Sequence, residues 1–167
     1  MDSEEYVDLV SRRLESDDFH LAKQINVLHY QAELYAFKDV SEASEITPTH
    51  KQISFFLLHR EGLSPDSLMD ICKSVEDYEN NERGRAFPAN VEIAPSRLAF
   101  AVIVSETVSP EMIAFLDRYN PSSVQQYVHP VLVNLESREL YHHTGMMLWG
   151  AAYRQIMDGF VRKYLLP

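Results

Sequence analysis

The chain contains one strand–turn–helix motif twice, and this repetition constrains the fold more than any other feature. The two copies span residues 53–68 and 98–113, and an alignment without gaps places Phe55 on Phe100. Each copy has a short apolar run, a polar connection and a helix start. Continuous apolar runs of this length are typical of strands that are covered on both faces. The repeat therefore predicts an α/β fold with two central strands, each followed by a helix.

Both predicted helices begin with serine, proline and an acid, at residues 64–66 and 109–111. The serine accepts an amide hydrogen of the first turn, and proline fits the first helical position. Because many helices begin with this combination of residues, we interpret the repeat as local convergence, with internal duplication as the alternative. If the strands are parallel, both connections lie at one end of the sheet, where α/β proteins usually bind ligands. The connection residues of interest are His59, Arg60, Glu61, Ser105 and Glu106.

The remaining pattern predicts a single α/β domain over residues 1–167, with a mixed sheet of about six strands flanked by helices. One hydrophobic core suits a chain of this length. Helices are predicted at residues 2–15, 64 to about 80, 109–119 and 147–165, and strands at 19–27, 31–37, 53–58, 98–104, 131–135 and 139–142. In the first strand, alternation predicts that Phe19, Leu21, Ile25 and Val27 share one face.

The formal net charge of −10 argues against binding to nucleic acid or to an acidic membrane surface. Cys72 is the single cysteine, so no internal disulfide can form, and its place on an apolar helix stripe predicts a buried core residue. No secretory signal and no run of 18 apolar residues is present. The sequence thus predicts a soluble cytoplasmic protein.

Known catalytic and metal-binding motifs are missing from the sequence. It contains no HExxH, no CxxC, no GxSxG and no glycine-rich phosphate loop. His142 and His143 are adjacent on a predicted strand, so they face opposite sides and predict a solvated strand end. His129 precedes a proline at a strand start and predicts a structural role. We therefore expect no metal site and no cofactor.

Aromatic residues and methionines cluster near the end of the chain, at Tyr141, Met146, Met147, Trp149 and Tyr153. Such residues are enriched at protein interfaces, and they are also common in cores. The cluster is compatible with core packing, a ligand pocket or a dimer face. We take these five residues as the candidate partner-binding surface.

The order helix, hairpin, central strand, helix, strand over roughly residues 2–104 resembles the core of the restriction-endonuclease-like PD-(D/E)XK superfamily. The resemblance implies a divalent metal held by an acid on the second strand and by a Glu/Asp-x-Lys on the third. Glu33 falls where the first acid would be, but residues 53–58 offer neither a carboxylate nor a lysine. Lys51 and Glu61 flank that strand out of register. The resemblance thus implies a related fold whose nuclease site is not intact.

These observations favour a non-enzymatic interaction or regulatory module that binds a protein partner or associates with itself as a homodimer. The alternative is a metal-dependent nuclease or phosphodiesterase with a displaced site, for which Glu33, His59 and Glu61 are the candidate catalytic residues. A third reading is a small-ligand binder that uses the connections after the two central strands.

Overall fold

The computed structural model describes residues 1–39, 52–83, 97–119, 126–145 and 151–167. Its helices are α1 (Ser3–Glu15), α2 (Pro65–Arg83), α3 (Pro110–Arg118) and α4 (Ala151–Phe160), and α4 continues into a π-helical turn (Val161–Leu165). Its strands are β1 (His20–Val27), β2 (Tyr30–Asp39), β3 (Gln52–His59), β4 (Arg97–Ser105), β5 (Gln126–Asn134) and β6 (Glu139–His142). The predicted α/β class with six strands is confirmed.

All six strands form one mixed sheet in the order β1-β2-β3-β4-β5-β6. Strands β3, β4 and β5 are parallel, and the other neighbours are antiparallel. Helices α2 and α3, which connect the parallel strands, pack on one face, while α1, α4 and the π-helical turn pack on the other. The core therefore consists of two apolar layers, one on each side of the sheet.

The central strands β3 and β4 carry the predicted apolar runs into the core. Every residue of β4 is buried, and β3 is buried from Ile53 to Leu58. Alternate side chains fill opposite layers, so that Phe55 packs beneath α1 and α4 while Phe56 packs beneath α2. Cys72 lies in the layer beneath α2 as predicted, and burial raises the pKa of its thiol to about 12.

The two copies of the repeated motif lie side by side, and residues that are equivalent in the sequence alignment are neighbours in the sheet. Phe55 pairs with Phe100 in the parallel β3–β4 ladder. Beyond the strand ends, Glu61 Oε1 accepts a hydrogen bond from the backbone N–H of Glu106 at 2.7 Å, again across a separation of 45 residues. Both connections therefore lie at the same end of the sheet, as predicted.

The helix starts follow the predicted capping chemistry. Ser109 accepts a hydrogen bond from the amide of Met112 at 3.3 Å, and Ser64 accepts one from the amide of Ser67 at 3.2 Å. Asp2 opens α1 with a capping box. These contacts satisfy amides that have no partner within the helix.

Among the described residues, no helix is long and apolar enough to cross a membrane.

Strand β1 departs from the predicted alternation. Leu21 packs against the layer beneath α1, whereas Ile25 and Val27 contact the layer beneath α2. Gln24 lies between them with φ of 55°, outside the region that strands occupy. The register with β2 is the same on both sides of Gln24, but the alternation of faces is interrupted there, so the prediction that these side chains share one face is wrong.

Strand β5 begins earlier than predicted, and it contains Pro130. Proline has no N–H, so it is confined to positions where a strand needs no donor on one side. Strand β6 pairs only with Val131–Asn134 of β5. Pro130 therefore lies in the part of β5 that is paired only with β4 among the described strands, and the missing donor is tolerated there.

Candidate functional site at the open edge of the sheet

Strand β6 forms one edge of the sheet, and no described strand pairs with its outer side. It is joined to β5 by a tight turn in which Asn134 Oδ1 accepts the amide hydrogen of Ser137 at 3.0 Å. Arg138 has φ of 55°, a left-handed conformation that completes the turn. A strand edge of this kind presents backbone N–H and C=O groups that have no ladder partner.

A cavity of about 440 Å³ surrounds this edge. Its walls come from α3 on one face of the sheet and from α4 and the π-helical turn on the other, with β6 between them. The apolar lining consists of Ile113, Leu116, Leu140, Val161 and Leu166. The polar lining consists of Asp117, Tyr141, His142, Thr144, Asp158 and Arg162.

A chain of polar contacts runs from the core to the wall of this cavity. His129 Nε2 and His142 Nδ1 are 3.1 Å apart, and His142 Nε2 lies 3.4 Å from Asp158 Oδ1. Arg162 Nε donates to Asp158 Oδ2 at 2.7 Å. A carboxylate only accepts, so His142 carries its proton on Nε2, and His129 then donates to His142 Nδ1.

Burial sets the protonation of this histidine pair. The pKa of His129 lies well below its ordinary value because the ring is fully desolvated, with His142 and His143 adding to the shift. Burial also lowers the pKa of His142, although the nearby Asp158 carboxylate acts in the opposite direction. Both rings are therefore neutral near pH 7. Because both nitrogens of His142 have protein partners, the pair orients Asp158 and leaves no ring nitrogen of His142 open to the cavity.

His143 fixes the end of β6 to α3. The residue is 7% exposed, and its Nδ1 donates to the carbonyl oxygen of Leu116 at 3.0 Å. The side chain of His142 is also only 7% exposed. The two rings do face opposite sides of the sheet, as predicted, but the prediction of a solvated strand end is wrong, because helices cover this strand on both faces.

Of the predicted partner-binding residues, Tyr141 lines the cavity and donates a hydrogen bond to Glu139 at 2.6 Å. This contact raises the pKa of Tyr141 and lowers that of Glu139. Met146, Met147 and Trp149 lie outside the described residues. Tyr153 belongs to α4, with its side chain outside the described part.

The predicted catalytic residues divide between two places. His59 is the last residue of β3, and its Nε2 lies 3.3 Å from Glu61 Oε1 in the following connection, but the angles are not those of a hydrogen bond. Glu61 also holds the backbone of Glu106, as described above. Glu33 lies on β2 and accepts a hydrogen bond from the Ser3 hydroxyl at 3.3 Å. The part of the chain that the structure describes contains no group of three His, Cys, Asp or Glu residues arranged to hold a metal ion.

Comparison of the chain with family models, curated proteins and solved structures gives no match.

The sequence predictions missed Asp117, Asp158 and Arg162 as site residues. One signal for them exists, because Asp158 and Arg162 are four residues apart and such oppositely charged pairs meet on a helix surface. Their position beside His142 and β6 depends on how α4 packs on the sheet, which local spacing does not indicate.

Proposed function

We propose that this protein is a non-enzymatic, cytoplasmic interaction module that holds a protein partner at the open edge of its sheet. The observation that supports this proposal is the coincidence, at β6, of a strand edge that no described strand covers with a cavity of about 440 Å³. Sites for ligands are concave, mostly apolar and supplied with a few placed polar groups. The lining of this cavity combines five apolar side chains with six polar ones, so it can hold an apolar group and also orient a polar one.

The first test is a selection of displayed random peptides on the wild-type protein, followed by binding to two matched variants. Ile113→Lys places a charge in the apolar wall of the cavity, while Ala114→Lys places it on an exposed neighbour on α3 outside the lining. We expect selected peptides to bind wild type and Ala114→Lys equally, and Ile113→Lys about tenfold or more weakly. If no peptide is enriched, or if Ile113→Lys binds normally, the proposed interaction site is wrong.

We further propose descent from the restriction-endonuclease-like superfamily with loss of the nuclease site. The order α1, β1, β2, β3, α2, β4, with α1 and α2 on opposite faces, supports this relationship. The residues of β3 support the loss, because Ile53–Leu58 are buried and include no carboxylate or lysine. Carboxylates that bind a catalytic metal would need another position.

The second candidate function, a metal-dependent nuclease or phosphodiesterase, draws support from one contact. His59 and Glu61 come together at 3.3 Å where parallel strands end. An ion that binds only the folded protein must raise its melting temperature. This candidate requires a rise with MgCl₂ or MnCl₂ that Glu61→Gln removes, and an unchanged melting temperature with both ions would rule it out.

A further inference from the structure

We propose that the partner supplies an extended segment that adds to β6 as a seventh strand, with an apolar side chain in the cavity and a lysine or arginine beside Asp117. This inference rests on the proposed function and names the chemistry of the partner. It combines three features of the same edge: a backbone that pairs with no described strand on its outer side, the apolar walls and the charge.

The backbone of β6 favours an extended occupant. Addition of a strand to a sheet edge gives affinity through backbone hydrogen bonds and specificity through pockets for alternate side chains. Strand β6 has four residues, so a segment paired along its whole length would extend about 13 Å at 3.3 Å per residue. Walls on both faces of the sheet would receive the alternate side chains of such a segment, because successive side chains of a strand point to opposite faces.

The charge of the site favours a basic segment. Asp117 is exposed on the α3 wall and makes no ion pair with another described residue, whereas Asp158 is paired with Arg162. The whole chain carries a formal charge of −10, which attracts cationic segments over distances beyond direct contact. A lysine or arginine next to the paired backbone would therefore find a carboxylate without displacing an existing partner.

The shape of the site argues against a second copy of this chain as the occupant. Two β6 edges that paired with each other would also bring the helical walls of the two cavities, from α3, α4 and the π-helical turn of each copy, toward each other. The charge of −10 on each copy adds repulsion. An extended segment of a different protein would pair with the backbone edge of β6 and fill the cavity at the same time.

The test uses three synthetic peptides with acetylated and amidated ends. The basic peptide is Lys-Val-Lys-Leu-Lys-Val, the acidic peptide has glutamate at each lysine, and the third is the basic peptide with N-methylated backbone amides at alternate residues. We expect the basic peptide to bind at least about tenfold tighter than the other two, because N-methylation removes ladder donors and glutamate faces Asp117. Amide resonances of Glu139–His142 should shift on binding.

Two charge reversals localise the electrostatic contribution. Asp117→Lys and Glu15→Lys make the same change at an exposed position near the C-terminal end of a helix, where a cation suits the helix dipole. Only Asp117 lines the cavity. We expect Asp117→Lys to weaken binding of the basic peptide about tenfold and Glu15→Lys to change it less than twofold.

The outcomes separate this inference from the proposed function. If displayed peptides lose affinity on Ile113→Lys but bind as helices, or without dependence on Asp117 and backbone amides, the seventh-strand inference is wrong and the interaction site stands. Sedimentation as a dimer through β6 would replace the extended segment by a second copy. If no peptide of any class binds at the cavity, both proposals are wrong.

Discussion

The rings of Phe55 and Phe100 stack almost parallel, with centroids 4.6 Å apart and an interplanar angle of 7°. They are equivalent residues of the repeated motif, and they are also partners in the parallel ladder. The same separation of 45 residues joins Arg97 Nε to Gln52 Oε1 at 2.7 Å and Glu106 N to Glu61 Oε1. Equivalent residues of the two copies are therefore in lateral contact from one end of the strands to the other.

We predict that Phe55 and Phe100 are energetically coupled. Each replacement by leucine should destabilise the protein, because both rings are fully buried in the layer beneath α1 and α4. Stacked aromatic pairs contribute about 0.5–1.5 kcal/mol beyond the area that they bury. Urea unfolding of Phe55→Leu, Phe100→Leu and the double variant should therefore give a coupling free energy in that range.

A control for this cycle combines Phe55→Leu with Ile71→Val. Ile71 lies in the other apolar layer, beneath α2, so the two free-energy changes should add to within about 0.5 kcal/mol. Equal coupling in both cycles would mean that the effect is general to the core and not a property of the stacked pair.

We predict that Ser109 stabilises α3 through its cap. Replacement by alanine removes the acceptor for the amide of Met112, and the free energy of unfolding should fall by about 1 kcal/mol. Thr107→Ala changes an exposed hydroxyl in the same connection and is the matched control, with an expected change below about 0.5 kcal/mol. Equal losses in the two variants would contradict the capping role.

We predict that the hydroxyl of Tyr6 is needed to hold the end of the chain. It donates a buried hydrogen bond to the carbonyl oxygen of Leu165 at 2.6 Å. Tyr6→Phe leaves that carbonyl without this donor in a desolvated place, so we expect a loss of about 1–3 kcal/mol in thermal or urea unfolding. Tyr164→Phe should cost less, because its partner Asp17 keeps an ion pair with Lys163. A smaller loss for Tyr6→Phe than for Tyr164→Phe would contradict this order.

The sequence was sufficient for elements whose signals are local. The apolar runs of β3 and β4 and the serine caps at Ser64 and Ser109 predicted central strands, their helices and the common end of both connections. Each of these signals depends on residues a few positions apart, and the packing of the core agrees with them. Gln24 shows the limit, because a single left-handed residue reverses the faces of β1 without a proline or glycine to mark it.

The cavity at β6 could not be predicted from patterns of residues that are close together in the sequence. Its walls combine Asp117 from α3 with Asp158 and Arg162 from the C-terminal helices, and these residues meet only after both faces of the sheet are covered. The histidine pair was also missed, since His129 and His142 are brought together by the β5–β6 register and not by a metal-binding spacing. Tyr141 is the predicted partner-binding residue that the structure places in this lining.

The buried histidine pair predicts that the protein loses stability as the pH falls below neutrality. The pKa of His129 in the folded protein is lowered, mainly by burial, so the unfolded chain binds more protons once the pH drops below about 6.5. Stability therefore rises with pH in this window and is lost on acidification, by up to about 1.4 kcal/mol per pH unit for one fully buried histidine. Urea unfolding at about pH 7.5, 6.5 and 5.5 measures this slope, before most carboxylates titrate.

His129→Gln should flatten this dependence of stability on pH, while His20→Gln, which removes an exposed histidine on β1, should not. A slope that is the same in wild type and His129→Gln would show that the buried pair does not control the acid sensitivity.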